Sequence, residues 1–200
     1  MNHLESLLRR AAALFDARKQ AWALVGGLAV SVRTEPRFTR DLDLAVAVTD
    51  DKAAEDLVLG MQADGFRALA TVEQEATKRL ATARMAPFGD QPRGVILDLL
   101  FASSGIEAEV CKEAELLDVF PGLTVPVAQV HHLIALKVLS RDDRNRPQDA
   151  NDLRSLICAA EDPQLTAARD ACGLIESRGF NRSRDLVHAL NSAWKEFRSQ

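Results

Sequence analysis

The 200-residue sequence contains no tyrosine, and aromatic residues make up only 5% of it. No base-stacking platform of the kind used by single-strand binders is visible. Cysteine is scarce too: Cys111, Cys158 and Cys172 are an odd number without CxxC spacing. That pattern argues against a disulfide framework or structural zinc and points to a reducing cytoplasm. Charge interrupts every apolar run well before the ~18 residues of a membrane helix, so no membrane contact is expected. The start, Met1-Asn2-His3-Leu4-Glu5, lacks the basic stretch and apolar core of a signal peptide. Positive charge is not in excess either. The net charge of −4 excludes a generic polyanion binder, so any nucleic-acid contact must use a local patch.

What is present is a globular balance, 47% hydrophobic and 27% charged. A chain this long buries roughly 70% of its unfolded surface, which is enough to fold without a crosslink. Leu4, Leu7, Leu8, Ala11, Leu14 and Phe15 recur at helical spacing and predict an amphipathic helix over 3–19. Ala21-Trp22-Ala23-Leu24-Val25 reads as a buried strand ended by a tight Gly26-Gly27 turn. A short helix follows from 28 and stops before Pro36. Residues 41–48 read as a strand and 51–64 as a helix closed by Gly65. Residues 66–78 carry no clear period. Residues 79–88 and 95–102 read as two strands joined by the hairpin signal Gly89-Asp90-Gln91-Pro92-Arg93-Gly94. Helices are predicted over 128–141, 148–160, 163–178 and 183–198, punctuated by Pro147, Pro163 and Gly179. The expected class is α/β (α+β): a mixed core over 1–125, then a helical region over 126–200.

Alternation on the 41–48 strand puts Leu42, Leu44, Val46 and Val48 on one face. Asp41 and Asp43 share the other face with Ala45 and Ala47. Two carboxylates that close repel unless a cation sits between them, and a hard divalent ion such as Mg²⁺ favours oxygen ligands. The plainer reading is an edge strand with solvated acids. Asp98 lies in Val95-Ile96-Leu97-Asp98-Leu99-Leu100-Phe101, where every neighbour is apolar. A carboxylate buried there needs an arginine or a metal. It either forms a salt bridge or joins Asp41 and Asp43 in a cluster able to hold two ions about 4 Å apart on a triphosphate. Gly26-Gly27 is either a plain turn or a place where backbone approaches phosphate beside a helix N-terminus. Thirteen residues, 28 to 40, separate it from Asp41, room for a short helix and a return loop.

Leu133-Ile134-Ala135-Leu136-Lys137-Val138-Leu139 sets one lysine in an apolar helical run. It either snorkels to the surface or has a partner. Asp149 and Asp152, three apart, occupy neighbouring positions of one helical face, and Asp149 also suits a helix start. Arg33, Arg37, Arg40, Arg141, Arg144 and Arg146 are candidate phosphate contacts. His131 and His132 have no carboxylate or cysteine at ligand spacing and read as ordinary helix residues. The cysteines and Trp22 read as structural.

Leu24-Val25-Gly26-Gly27, Thr39-Arg40-Asp41-Leu42-Asp43-Leu44 and Ile96-Leu97-Asp98-Leu99-Leu100 together resemble the nucleotidyltransferase fold, the superfamily of DNA polymerase beta. Gly27 stands where many branches have serine. The stretch from Lys137 through Arg146-Pro147-Gln148-Asp149-Ala150-Asn151-Asp152-Leu153 is similar to the AbiEii, or MenT-type, toxin branch. The resemblance covers most of residues 20–156. It implies a mixed sheet flanked by helices, with a helical bundle after it. It implies transfer of a nucleoside monophosphate from an NTP, with Mg²⁺ or Mn²⁺, to the 3′ end of tRNA, and a cognate antitoxin protein. Asp41, Asp43 and Asp98 become metal ligands. Gly26, Gly27, Arg40 and Lys137 become nucleotide contacts. Asp149 or Asp152 orients Lys137 or takes the acceptor's proton. Two other readings stand beside this one: nucleotidylation of a protein or of a small molecule such as an aminoglycoside, and a non-catalytic nucleotide-binding module.

Overall fold

The computed structural model describes residues 3–89, 94–142 and 147–198. Helix α1 (His3–Arg18) buries Leu4, Leu7, Leu8, Ala11 and Phe15, the stripe that its periodicity predicts. It leads into β1 (Trp22–Val25), which is buried throughout. Helix α2 (Gly26–Arg33) begins on the first glycine itself, two residues earlier than the sequence suggests. The diglycine is thus the first turn of a helix. After β2 (Asp41–Val46) comes α3 (Asp51–Ala63), whose N-terminus is capped by the Asp50 carboxylate accepting from Ala53 N at 2.8 Å.

The next elements are β3 (Phe66–Glu73), β4 (Leu80–Pro87), β5 (Ile96–Leu100), α4 (Glu107–Lys112), β6 (Glu115–Phe120) and β7 (Leu123–Val127). The strand β3 escapes sequence reading because it is an edge strand exposed over most of its length. With no buried face, it carries no alternation to read. The elements between 103 and 125 were likewise not anticipated, being only five or six residues long. β4 and β5 pair antiparallel as expected, but the turn residues 90–93 lie outside the described residues. Helices α5 (Val130–Ser140), α6 (Pro147–Ala159), α7 (Asp162–Ser177) and α8 (Leu186–Arg198) close the chain and match the four predicted helices. Among the described residues, no helix is long and apolar enough to cross a membrane.

The seven strands form one mixed sheet in the order β3-β4-β5-β2-β1-β7-β6. β2 lies at its centre, antiparallel to β1 and parallel to β5. That placement decides the site. The register sets Val25 opposite Asp43, Asp43 opposite Asp98, and Asp98 opposite Arg84. Register partners project from the same face. One row across β1, β2, β5 and β4 therefore ends in two carboxylates and a guanidinium, immediately beside the first turn of α2.

Candidate active site

Asp43 is half-buried and Asp98 buried, while Asp41 is exposed at the start of β2. Both oxygens of Asp98 are engaged by Arg84, whose Nε donates to Oδ1 at 2.8 Å and whose Nη2 donates to Oδ2 at 2.7 Å. Of the two partners open to this aspartate, it takes the salt bridge. Asp98 holds the Arg84 guanidinium well above its ordinary range, and Asp43 and Asp41 add to that field. The oxygens of Asp41, Asp43 and Asp98 do not all converge within 4.8 Å. Arg84 was missed from sequence. An arginine inside an apolar strand is its only local signal, and its partner is set by the register of a strand fourteen residues away.

The two glycines have a steric reason beyond the turn. Gly26 has φ +66°, and a Cβ there would fall inside contact distance of Asp43 Oδ2. A Cβ on Gly27 would run into Arg37 Nη2. The start of α2 has no side-chain cap, and Val25 and Gly26 line the cleft beside it. Its first-turn amides are therefore available to an anion.

Lys137 is neither snorkelling nor unpaired. Its Nζ donates to Asp149 Oδ1 at 2.6 Å and lies 2.8 Å from Asp152 Oδ2. Asp152, 2% exposed, is also ion-paired with Arg37, Nε to Oδ1 at 2.6 Å and Nη2 to Oδ2 at 2.7 Å. Burial alone would raise the Asp152 pKa, but the hydrogen bonds from Arg37 and Lys137 hold it below the usual carboxylate range. Asp149 accepts from Ser140 Oγ at 3.2 Å. The two aspartates thus differ: Asp149 lines the cleft, and Asp152 lies behind it on Arg37.

A cleft of about 390 Å³ joins these parts. Gly26, Asp43, Asp98, Arg84, Lys137 and Asp149 all contribute to its wall, with Ser103, Ser104, Glu107 and Arg182 from the far side. Glu107, which sequence reading also missed, takes three hydrogen bonds on Oε1, from Ser104 N at 2.7 Å, Ser104 Oγ at 2.8 Å and Ser103 N at 2.9 Å. Burial nonetheless raises its pKa above the usual carboxylate value.

The expected arginines separate. Arg37 holds Asp152. Arg33 instead ties β7, donating to Ala128 O at 3.1 Å and Val127 O at 3.2 Å and pairing with Glu115 at 2.7 Å. Arg40 is exposed, stacks 5.4 Å over Phe38, and lines a separate surface groove rather than the cleft. Arg141 caps the end of α5. Arg144 and Arg146 lie outside the described residues. Burial pushes the thiols of Cys111 and Cys172 up to about 12, which suits a structural role.

In fold, the chain resembles an antigenic nucleotidyltransferase-like protein from Paracoccidioides brasiliensis, at TM-score 0.54 and 20% identity, covering 94% of this chain and 92% of that one. MenT4, a nucleotidyltransferase toxin from Mycobacterium tuberculosis H37Rv, aligns at TM-score 0.48 and 18% identity over 84% of this chain and 62% of its own. The resistance factor ANT(2″)-Ia, solved with adenylyl-2″-tobramycin, aligns at TM-score 0.48 and 20% identity over 97% and 96% of the two chains. No curated protein sequence matches significantly. The sequence model of the nucleotidyl transferase AbiEii toxins of type IV toxin–antitoxin systems matches residues 6–200, and the chain belongs to that family of nucleotidyltransferases.

Proposed function

We propose that this nucleotidyltransferase acts as a toxin by transferring a nucleoside monophosphate from an NTP to the 3′ hydroxyl of tRNA, and so blocks translation in the cytoplasm. A cognate antitoxin protein would hold it in check. The observation that carries this reading is that one cleft is lined at once by the glycine turn, the strand carboxylates, Arg84 and the Lys137–Asp149 pair.

Each residue has a separate task. Asp43 lines the cleft and Asp41 projects from the same strand face at the exposed start of β2; two hard carboxylates so placed suit Mg²⁺ or Mn²⁺. Bound there, the ion would neutralise triphosphate charge. Asp98 was expected as a third ligand. With both oxygens on Arg84, we assign it first to fixing that guanidinium against the phosphates. The uncapped amides of α2 and the Lys137 ammonium meet the remaining phosphate charge. The acceptor oxygen attacks the α-phosphorus and an O–P bond forms. The bond from that phosphorus to the bridging oxygen breaks, and pyrophosphate leaves. Asp149, facing the cleft, receives the acceptor proton. Asp152 holds Lys137 in place.

The size of the cleft favours a second acceptor, a small hydroxylated molecule, since about 390 Å³ falls in the range of small-ligand sites. One experiment separates the two. The protein is incubated with Mg²⁺ and each labelled NTP, with total tRNA or with an aminoglycoside, beside Asp41→Ala and Lys137→Ala. Label on tRNA from the wild type alone is the expected result. Label on the aminoglycoside supports the second acceptor. Nucleotide that binds without any transfer refutes both.

A further inference from the structure

We infer that Glu113, His131 and His132 form a binding site for a divalent transition metal, with Zn²⁺ the best fit, separate from the nucleotide cleft. Among the described residues this is the group of three ligating side chains whose donor atoms all lie within 4.8 Å of one another. Two imidazoles and a carboxylate suit Zn²⁺ and its neighbours, whereas Mg²⁺ selects oxygen. His131 Nε2 already lies 3.3 Å from Glu113 Oε2.

Two observations point to a ligand rather than to packing. Successive side chains on a helix diverge by about 100°, yet the rings of His131 and His132 come within 4.0 Å, centroid to centroid. His132 is also 4% exposed, and its Nδ1 is buried without a hydrogen-bond partner. An orphaned buried nitrogen is costly and uncommon, and coordination through it would satisfy it. Glu113 is exposed and opens the site to solvent. Arg33 faces His131 from one side, but Glu115 neutralises it at 2.7 Å.

The placement gives the site a purpose. Glu113 caps the end of α4, while both histidines stand in the first turn of α5, the helix that carries Lys137. A metal would tie the sheet-side helix to the lysine helix and stabilise the folded protein increasingly as free metal exceeds its Kd.

Chelator-treated, untagged protein is titrated with Co²⁺ and Zn²⁺ at pH 7.5. The result expected is one equivalent of Co²⁺ with visible d–d absorption, displaced by Zn²⁺, and a Tm that rises with Zn²⁺. Glu113→Gln and His131→Gln should each weaken binding at least tenfold, and Asp41→Ala should leave it intact. His132→Gln is avoided because that side chain is core. Absence of binding overturns the inference. So does binding that survives the Glu113→Gln/His131→Gln double variant, or that Asp41→Ala abolishes. None of these outcomes depends on nucleotidyl transfer.

Discussion

Arg84 on β4 and Asp98 on β5 stand opposite each other in register, and the guanidinium holds both carboxylate oxygens at 2.8 and 2.7 Å. The next strand over brings Asp43 to the same row. This pairing compensates the Asp98 carboxylate within the row, and leaves Asp43 and Asp41 on the same face as the negative charges a cation would meet.

The first prediction follows from that pairing. Arg84→Met and Asp98→Asn should each lower nucleotidyl transfer at least tenfold. The double variant should lose little beyond the worse single one, because each residue acts through the other. Transfer of label from NTP, measured on all three variants, checks this. Losses that simply multiply would show two independent roles.

Gly27→Ala should destabilise the fold by about 1–3 kcal/mol, the usual range for overpacking a tight site. The new methyl meets Arg37, which Asp152 keeps from moving aside. Gly26→Ala adds a positive φ to a clash with Asp43, so it should cost activity as well as stability. Urea unfolding of both variants, with transfer rates alongside, separates the two effects. A Gly27→Ala protein as stable as wild type would contradict the assigned packing.

Asp152 should make the protein sensitive to acid. Its folded-state pKa is lowered, so its contribution is fully present above the ordinary carboxylate value and disappears as pH falls through the lowered one. Below about pH 4, wild type should lose stability more steeply than Asp152→Asn. At pH 7 the variant should be less stable by about 3 kcal/mol, since Lys137 and Arg37 lose a buried countercharge. Unfolding free energies over pH 2.5–7 test both statements.

Glu107 should act in the opposite sense. Burial raises its folded pKa, so its contribution is complete at low pH and declines as pH rises through that raised value. Glu107→Gln retains an oxygen for the three donors that converge on Oε1. The variant should therefore gain on wild type as pH rises from the ordinary carboxylate value, about 4, through the raised one. Parallel stability–pH curves for the two proteins would rule this out.

Much of this protein was legible along the chain. The α1 stripe, the buried β1, the acidic alternation of β2 and the four closing helices each follow from a local period of side chains, which a sequence displays directly. Asp98, alone among apolar neighbours, announced that it needed a partner. Which partner it takes was not local: β4 supplies Arg84 through strand register, and the order of strands in a sheet is set by how buried faces pack together. The same holds for Lys137. Its apolar helix left two readings open, a snorkelling lysine or a paired one. Only the docking of α6 and α2 against α5 separates Asp149, at the cleft, from Asp152, clasped by Arg37 behind it. Glu113 and His132 make the point most plainly. Nineteen positions apart, they reveal nothing to each other in sequence, because proximity across a fold is a property of packing rather than of spacing.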